Sequence, residues 1–206
     1  MLKEIFAELV VKYCHDEIIA EQLWSEIEMA YTSSERYYHN LSHLQAVYDE
    51  IKEQDNLVGD INTMLFALFY HDFVYDPLKS DNELQSANFA KQRLEQIGCQ
   101  QNIIDKCYSL IMATKGHNRV EDNDINMFTD ADISILGKDW ETYLAYSQSI
   151  RKEYQIYPDE IYYPGRAKVL THFLSMEAIY KTDDFHTKYE KQAKANLLRE
   201  LKLTAQ

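Results

Sequence analysis

Five glycines and three prolines are all that a chain of 206 residues contains here, where ordinary composition would supply the two together at roughly 12% of positions. A β-sandwich or barrel turns every few residues and draws on both to do so, so this scarcity argues against either. Apolar residues recur at intervals of three and four, and sustained alternation at period two is hard to find. The expected fold is all-α: a single-domain helical bundle with short loops, over residues 1–206. That length is ample for one hydrophobic core.

Leu2, Ile5, Phe6, Leu9, Val10 and Tyr13 form one apolar stripe, and Ile18, Ile19, Leu23, Trp24 and Ile27 continue it past a break near His15 and Asp16. Thr32–Ser34 reads as a loop, Asn40 as the N-cap of a helix through Ile51, and Ile61–Phe73 as a buried helix apolar almost all round. Ser80 with Glu83 suggests a capping box for a helix running to Gly98. The spacing further predicts a helix from about 102 to 115, an acidic loop over 117–126, and a short helix from about Asp130 to Gly137. Helices follow through about Tyr154, over 166–180 and over 184–203, with Pro158 and Pro164 in the connection before the last pair.

Thirty-four acidic against 21 basic side chains leave a net charge of −13. Affinity for long nucleic acid comes mainly from Lys and Arg neutralising phosphate, so that partner is not expected. The same field opposes a phosphorylated substrate unless something locally positive reverses it. Cys14, Cys99 and Cys107 are odd in number and lack a CxxC spacing, as expected of reduced thiols in a cytoplasmic protein. None is a favoured nucleophile. The longest uninterrupted apolar run, Met64 to Tyr70, is far short of a membrane span, and acids interrupt the first eight residues, so no membrane partner is expected.

Four strings gather metal-ligand chemistry: Tyr38-His39-Asn40-Leu41-Ser42-His43, Tyr70-His71-Asp72, Ala113-Thr114-Lys115-Gly116-His117 and Thr129-Asp130-Ala131-Asp132. His39 and His43 can face one cavity if the helix starts at Asn40, but Asn-Leu-Ser between them lacks the glutamate a zinc protease needs. Either His can equally be a core side chain bonded to a carbonyl. His71-Asp72 follows the most apolar helix in the chain, where such a pair is expensive to bury unless something coordinates it. The blander role for Asp72 is a helix-end cap or salt bridge.

The ordered series His43, His71-Asp72 and Asp132 in an all-helical chain resembles the HD superfamily of metal-dependent phosphohydrolases, closest to its small bacterial branch. The resemblance rests on Arg36–Leu44, Tyr70–Pro77 and Thr129–Ile133, and spans roughly residues 36–140. It implies an HD-type bundle with His43, His71, Asp72 and Asp132 as metal ligands, His39 as the proton donor and Asp72 in the catalytic centre. Asp130 and Asp76 are then candidates for supporting the ligands, Asp76 alternatively for the turn at Pro77. His117, where binuclear members carry extra histidines, is the candidate ligand of a second ion.

Two imidazoles and two carboxylates suit Mn²⁺, Fe²⁺, Co²⁺, Ni²⁺, Zn²⁺ or Mg²⁺, so one or two divalent ions are the expected cofactor. Arg36, Lys115, Arg151 and Arg166 are the candidates for holding substrate phosphate, Arg36 first because its planar fork matches an anion's oxygens. A solvated surface charge is the plainer alternative for each, above all for Lys115 and for the further candidate Lys168. The function expected is hydrolysis of a small phosphorylated molecule, a nucleotide or phosphomonoester. The alternative is a metal- or nucleotide-binding regulatory module that no longer turns over.

Overall fold

A run with so few helix breakers folds helix after helix, each stopped by a local signal. The computed structural model describes residues 1–204, which form ten α-helices and two short 3₁₀ turns and, among the described residues, no strand. The helices are α1 (Leu2–Cys14), α2 (Glu17–Tyr31), α3 (Leu41–Glu53), α4 (Ile61–Tyr70), α5 (Asn82–Gln96), α6 (Gln101–Ala113), α7 (Asn123–Asp132), α8 (Trp140–Glu153), α9 (Asp159–Ser175) and α10 (Asp183–Thr204). The 3₁₀ turns are Asp55–Leu57 and Ile133–Gly137. No helix among the described residues is long and apolar enough to cross a membrane.

The helices group into two compact units, Met1–Thr129 and the chain from Asp130 on, with the division inside α7. In the first unit α4 packs against α1, α3, α5 and α6. That central position explains its sequence, since Met64, Phe66, Ala67, Leu68, Phe69 and Tyr70 are all buried. The Phe6 ring of α1 meets Phe69 edge-on at 4.9 Å between centroids. Truncating an aromatic so placed costs about 3–5 kcal/mol. In the second unit α10 packs on α9 and on the Ile133–Gly137 turn. A Cβ on Gly137 would collide with Tyr189 of α10, so this close approach requires glycine.

Several predicted boundaries hold. His15 takes the left-handed conformation (φ 53°) that ends α1, and the Asp16 carboxylate caps α2 by accepting from the Ile18 and Ile19 amides. Asn40 caps α3 by accepting from the Ser42 amide at 2.9 Å. Other boundaries move. The Ser80–Glu83 capping box does not open α5, whose N-cap position is Asp81. Asp122, lost to view in an acidic run, accepts from the Asp124 and Ile125 amides, so α7 starts well before Asp130. Asp132 accordingly ends α7 and stands at the N-cap of the Ile133–Gly137 turn. Pro164 lies inside α9, which begins at Asp159. The donor it lacks would have served Glu160, an exposed residue whose carbonyl water can satisfy.

Candidate metal centre

Helix α4 ends one residue before His71, and the last carbonyls of a helix need donors from outside it. His71 supplies one: its Nδ1 lies 2.9 Å from the Leu68 carbonyl oxygen. A carbonyl only accepts, so the ring proton sits on Nδ1 and the Nε2 lone pair is free of it. That is the tautomer an imidazole ligand adopts when its other nitrogen is anchored.

The Nε2 atom so exposed faces Nε2 of His43 at 3.2 Å and Oδ2 of Asp72 at 3.1 Å. His43 Nε2 and Asp72 Oδ2 are 3.6 Å apart. The two histidine side chains are 2% and 1% exposed, whereas the Asp72 side chain keeps 19%, leaving the triangle one wetter edge. Metal–ligand bonds of about 2.0–2.2 Å leave neighbouring ligand atoms about 2.8–3.6 Å apart, from octahedral to tetrahedral geometry. All three edges fall in that interval, so the residues present fit a divalent cation in donor type and in spacing.

His43 reaches this point from the first turn of α3. Asn40 sets the entry: besides capping the helix, its amide donates to the Tyr37 carbonyl at 3.2 Å, tightening the loop behind it. The Tyr38 ring lies 4.9 Å from that of His43. His39 sits beside the pair, its ring centroid 5.7 Å from His43, and lies against Tyr75 at 4.2 Å with 30° between the planes. It is half-buried.

Helix α7 carries Phe128, whose ring meets His71 edge-on at 5.8 Å. Asp132 comes four residues later, on the same face of that helix by its period. Asp130, two residues earlier, is turned away by about 200°. Its carboxylate is fully buried and accepts from the Lys181 and Thr182 amides and the Thr182 hydroxyl, with Lys181 Nζ at 2.9 Å. Asp130 is therefore an anchor for the segment entering α10 rather than a support for the ligands.

Asp76 and His117 both shape the backbone where they stand. Asp76 Oδ1 accepts from the Leu78 amide at 2.9 Å, forming the turn at Pro77, and its backbone pairs with the Asn82 side chain. His117 ends the α6 segment in a left-handed conformation (φ 50°), its amide bonded to the Ala113 carbonyl at 3.0 Å.

All four candidate phosphate cations are engaged within the fold. Arg36 Nη1 donates to the His39 and Asp72 carbonyls and Nη2 to that of Phe73. Lys115 Nζ donates to the Ser80 carbonyl at 2.7 Å. Arg151 binds Asp159 and the Tyr154 and Tyr157 carbonyls. Arg166, buried, forks onto Glu200 at 2.8 and 3.0 Å. In each case nearby carbonyls or carboxylates, invisible in a one-dimensional motif, claim the guanidinium or ammonium first.

Burial pushes the Glu200 carboxyl up, but Arg166 and the hydroxyls of Tyr143 and Ser147 outweigh it and hold the group below its ordinary value. Sequence reasoning missed Tyr31, whose hydroxyl accepts from the Asp72 amide at 3.2 Å. It reads as one more member of the α2 apolar stripe, and no spacing signal distinguishes it. No family model, curated protein or solved structure matches this chain.

Proposed function

We propose that this chain is a metal-dependent phosphohydrolase of the HD type, acting on a small phosphorylated molecule such as a nucleotide or phosphomonoester. The observation that carries the reading is the convergence of His43 Nε2, His71 Nε2 and Asp72 Oδ2, with the His71 ring locked by the Leu68 carbonyl. Asp132 is the further carboxylate that the HD pattern in the sequence adds as a ligand. The chemistry a divalent cation supplies to such a set is neutralisation of phosphoryl charge and acidification of water.

The protein's own part divides among few residues. His43, His71 and Asp72 hold the cation, and the Asp72 carboxylate offsets part of its charge. The Leu68 carbonyl keeps the His71 proton on the far nitrogen. His39 delivers a proton to the leaving oxygen from a ring steadied by Tyr75, a role worth about 10²–10⁴ in rate. Phosphate recognition falls to the metal centre, because the four predicted cations bind protein groups. That same observation favours, as a second reading, a metal-holding regulatory module that binds without turnover.

Metal analysis of the purified chain together with a panel of phosphorylated metabolites tests both. Hydrolysis requires bound metal and disappears in Asp72→Ala and His71→Ala. Full hydrolysis by a metal-free Asp72→Ala chain would eliminate the first reading, and nucleotide affinity without turnover across several divalent metals would select the second. If two ions are bound, His117→Ala lowers the stoichiometry to one.

A further inference from the structure

The residues that carry the Asp72 side chain lie where the helix has run out. In a continuing helix the Asp72 amide would donate to the Leu68 carbonyl, but His71 Nδ1 occupies that oxygen. The amide turns to the Tyr31 hydroxyl at 3.2 Å instead. On the other side, the Asp72 and Phe73 carbonyls accept from Arg36 Nη1 and Nη2 at 2.7 and 2.8 Å. Nη1 also reaches the His39 carbonyl at 3.1 Å. One guanidinium thus joins the turn bearing Asp72 to the loop bearing His39, while its face lies 4.8 Å from the Tyr31 ring and 5.6 Å from that of Tyr75. Tyr75 is the ring against which His39 rests.

We propose that Arg36 is a positioning residue for the metal centre: braced between Tyr31 and Tyr75, it fixes the backbone of Asp72 and His39 and so sets where their side chains point. This rests on the metal-site reading above. The physical case is that the Asp72 peptide groups are clamped from both ends by side chains that belong to neither α3 nor α4. The Tyr31 hydroxyl takes the N–H and the Arg36 fork takes the two successive carbonyls. Lysine cannot replace that fork, because a single ammonium on a flexible stem cannot span two carbonyls at fixed angles. Partners that orient metal ligands in this way typically contribute about 10–100-fold to metal affinity.

The test is Co²⁺ titration of the full chain, followed by its visible absorption, for wild type, Arg36→Gln, Arg36→Lys and Tyr31→Phe. Arg36→Gln and Arg36→Lys should both weaken Co²⁺ binding by about 10–100-fold and shift the absorption bands of the saturated protein. Tyr31→Phe, which keeps the ring, should weaken it less in the same direction. The band shift is decisive, since a residue that only stabilised the fold would leave the folded, saturated site with wild-type bands. A wild-type chain that takes up no Co²⁺ sinks the metal reading itself. A wild-type chain that binds, with Arg36→Gln matching its affinity and bands, overturns the positioning role alone. Should Arg36→Gln fail to fold, Tyr31→Phe decides, and wild-type affinity and bands in that variant overturn the proposal.

Discussion

The Nε2 atoms of His43 and His71 face one another at 3.2 Å, in surroundings that leave neither side chain more than 2% exposed. Two imidazoles buried nitrogen to nitrogen, beside a carboxylate, hold polar atoms together at a cost that a shared cation would offset. Metal should therefore stabilise the folded chain. At a free concentration 100 times its dissociation constant, a ligand of the native state adds about 2.7 kcal/mol, and each kcal/mol raises the melting temperature of a chain this size by about 2–4 °C. Calorimetry with and without Mn²⁺ or Co²⁺ should show that rise in wild type and none in His71→Ala. An equal rise in both would place the ion elsewhere.

Asp130 and Asp132 should separate cleanly, although only one residue lies between them. Asp130→Asn removes the charge partner of buried Lys181 and should cost about 3–5 kcal/mol in urea unfolding. Asp132→Asn should weaken metal binding at least tenfold. The reverse pattern would show that the ligand had been assigned to the wrong carboxylate.

The second unit carries a pH dependence whose sign follows from Glu200. Its carboxyl titrates below the ordinary glutamate value of 4.5 when folded, so the unfolded chain binds its proton first as pH falls. The stability it contributes is whole above about pH 4.5 and is lost as pH drops through the lower, folded value. Glu190, lowered in the same sense against the opposing effect of its burial by Lys194 and the Tyr180 and Ile179 amides, adds to the slope. Glu200→Gln should be less stable at pH 7 and lose stability less steeply below pH 4.5. Unfolding free energies measured from pH 7 to pH 3 would refute this if the two slopes coincide.

Thiol reactivity should be confined to Cys14. Burial raises the Cys107 thiol far above its usual range and pushes that of Cys99 up to about 12, while Cys14 is only half-buried. A thiol-specific reagent at pH 8 should modify one cysteine quickly and all three only after unfolding. Rapid modification of Cys107 in the native chain would contradict the packing described for α6.

Much of the first level was legible in one dimension. The paucity of glycine and proline and the three-four periodicity indicate helices, and short-range signals such as Asp16 and Asn40 mark starts that the structure shows as capped. Those features are local: a cap acts on amides two or three residues away, and a helical stripe repeats within a turn. Candidate ligands were legible for a similar reason, since imidazole and carboxylate side chains beside an apolar helix are expensive without a purpose. Signals that compete within a polar run, as at Asp122, or that invoke a rule of thumb for proline, as at Pro164, were misread.

What the sequence by itself determined is the helical class, most helix starts and the chemical identity of the residues His39, His43, His71, Asp72 and Asp132. What only the tertiary structure decided is which groups meet. It turned Arg36, Arg151 and Arg166 from anion candidates into clamps on carbonyls and carboxylates, gave Tyr31 a part in holding Asp72, and separated Asp130 from Asp132. The reason is physical: a guanidinium or hydroxyl bonds whatever acceptor the fold brings within about 3 Å, and those acceptors lie 36 residues away for Arg36 and Asp72 and 34 for Arg166 and Glu200. No periodicity in the chain encodes such distances.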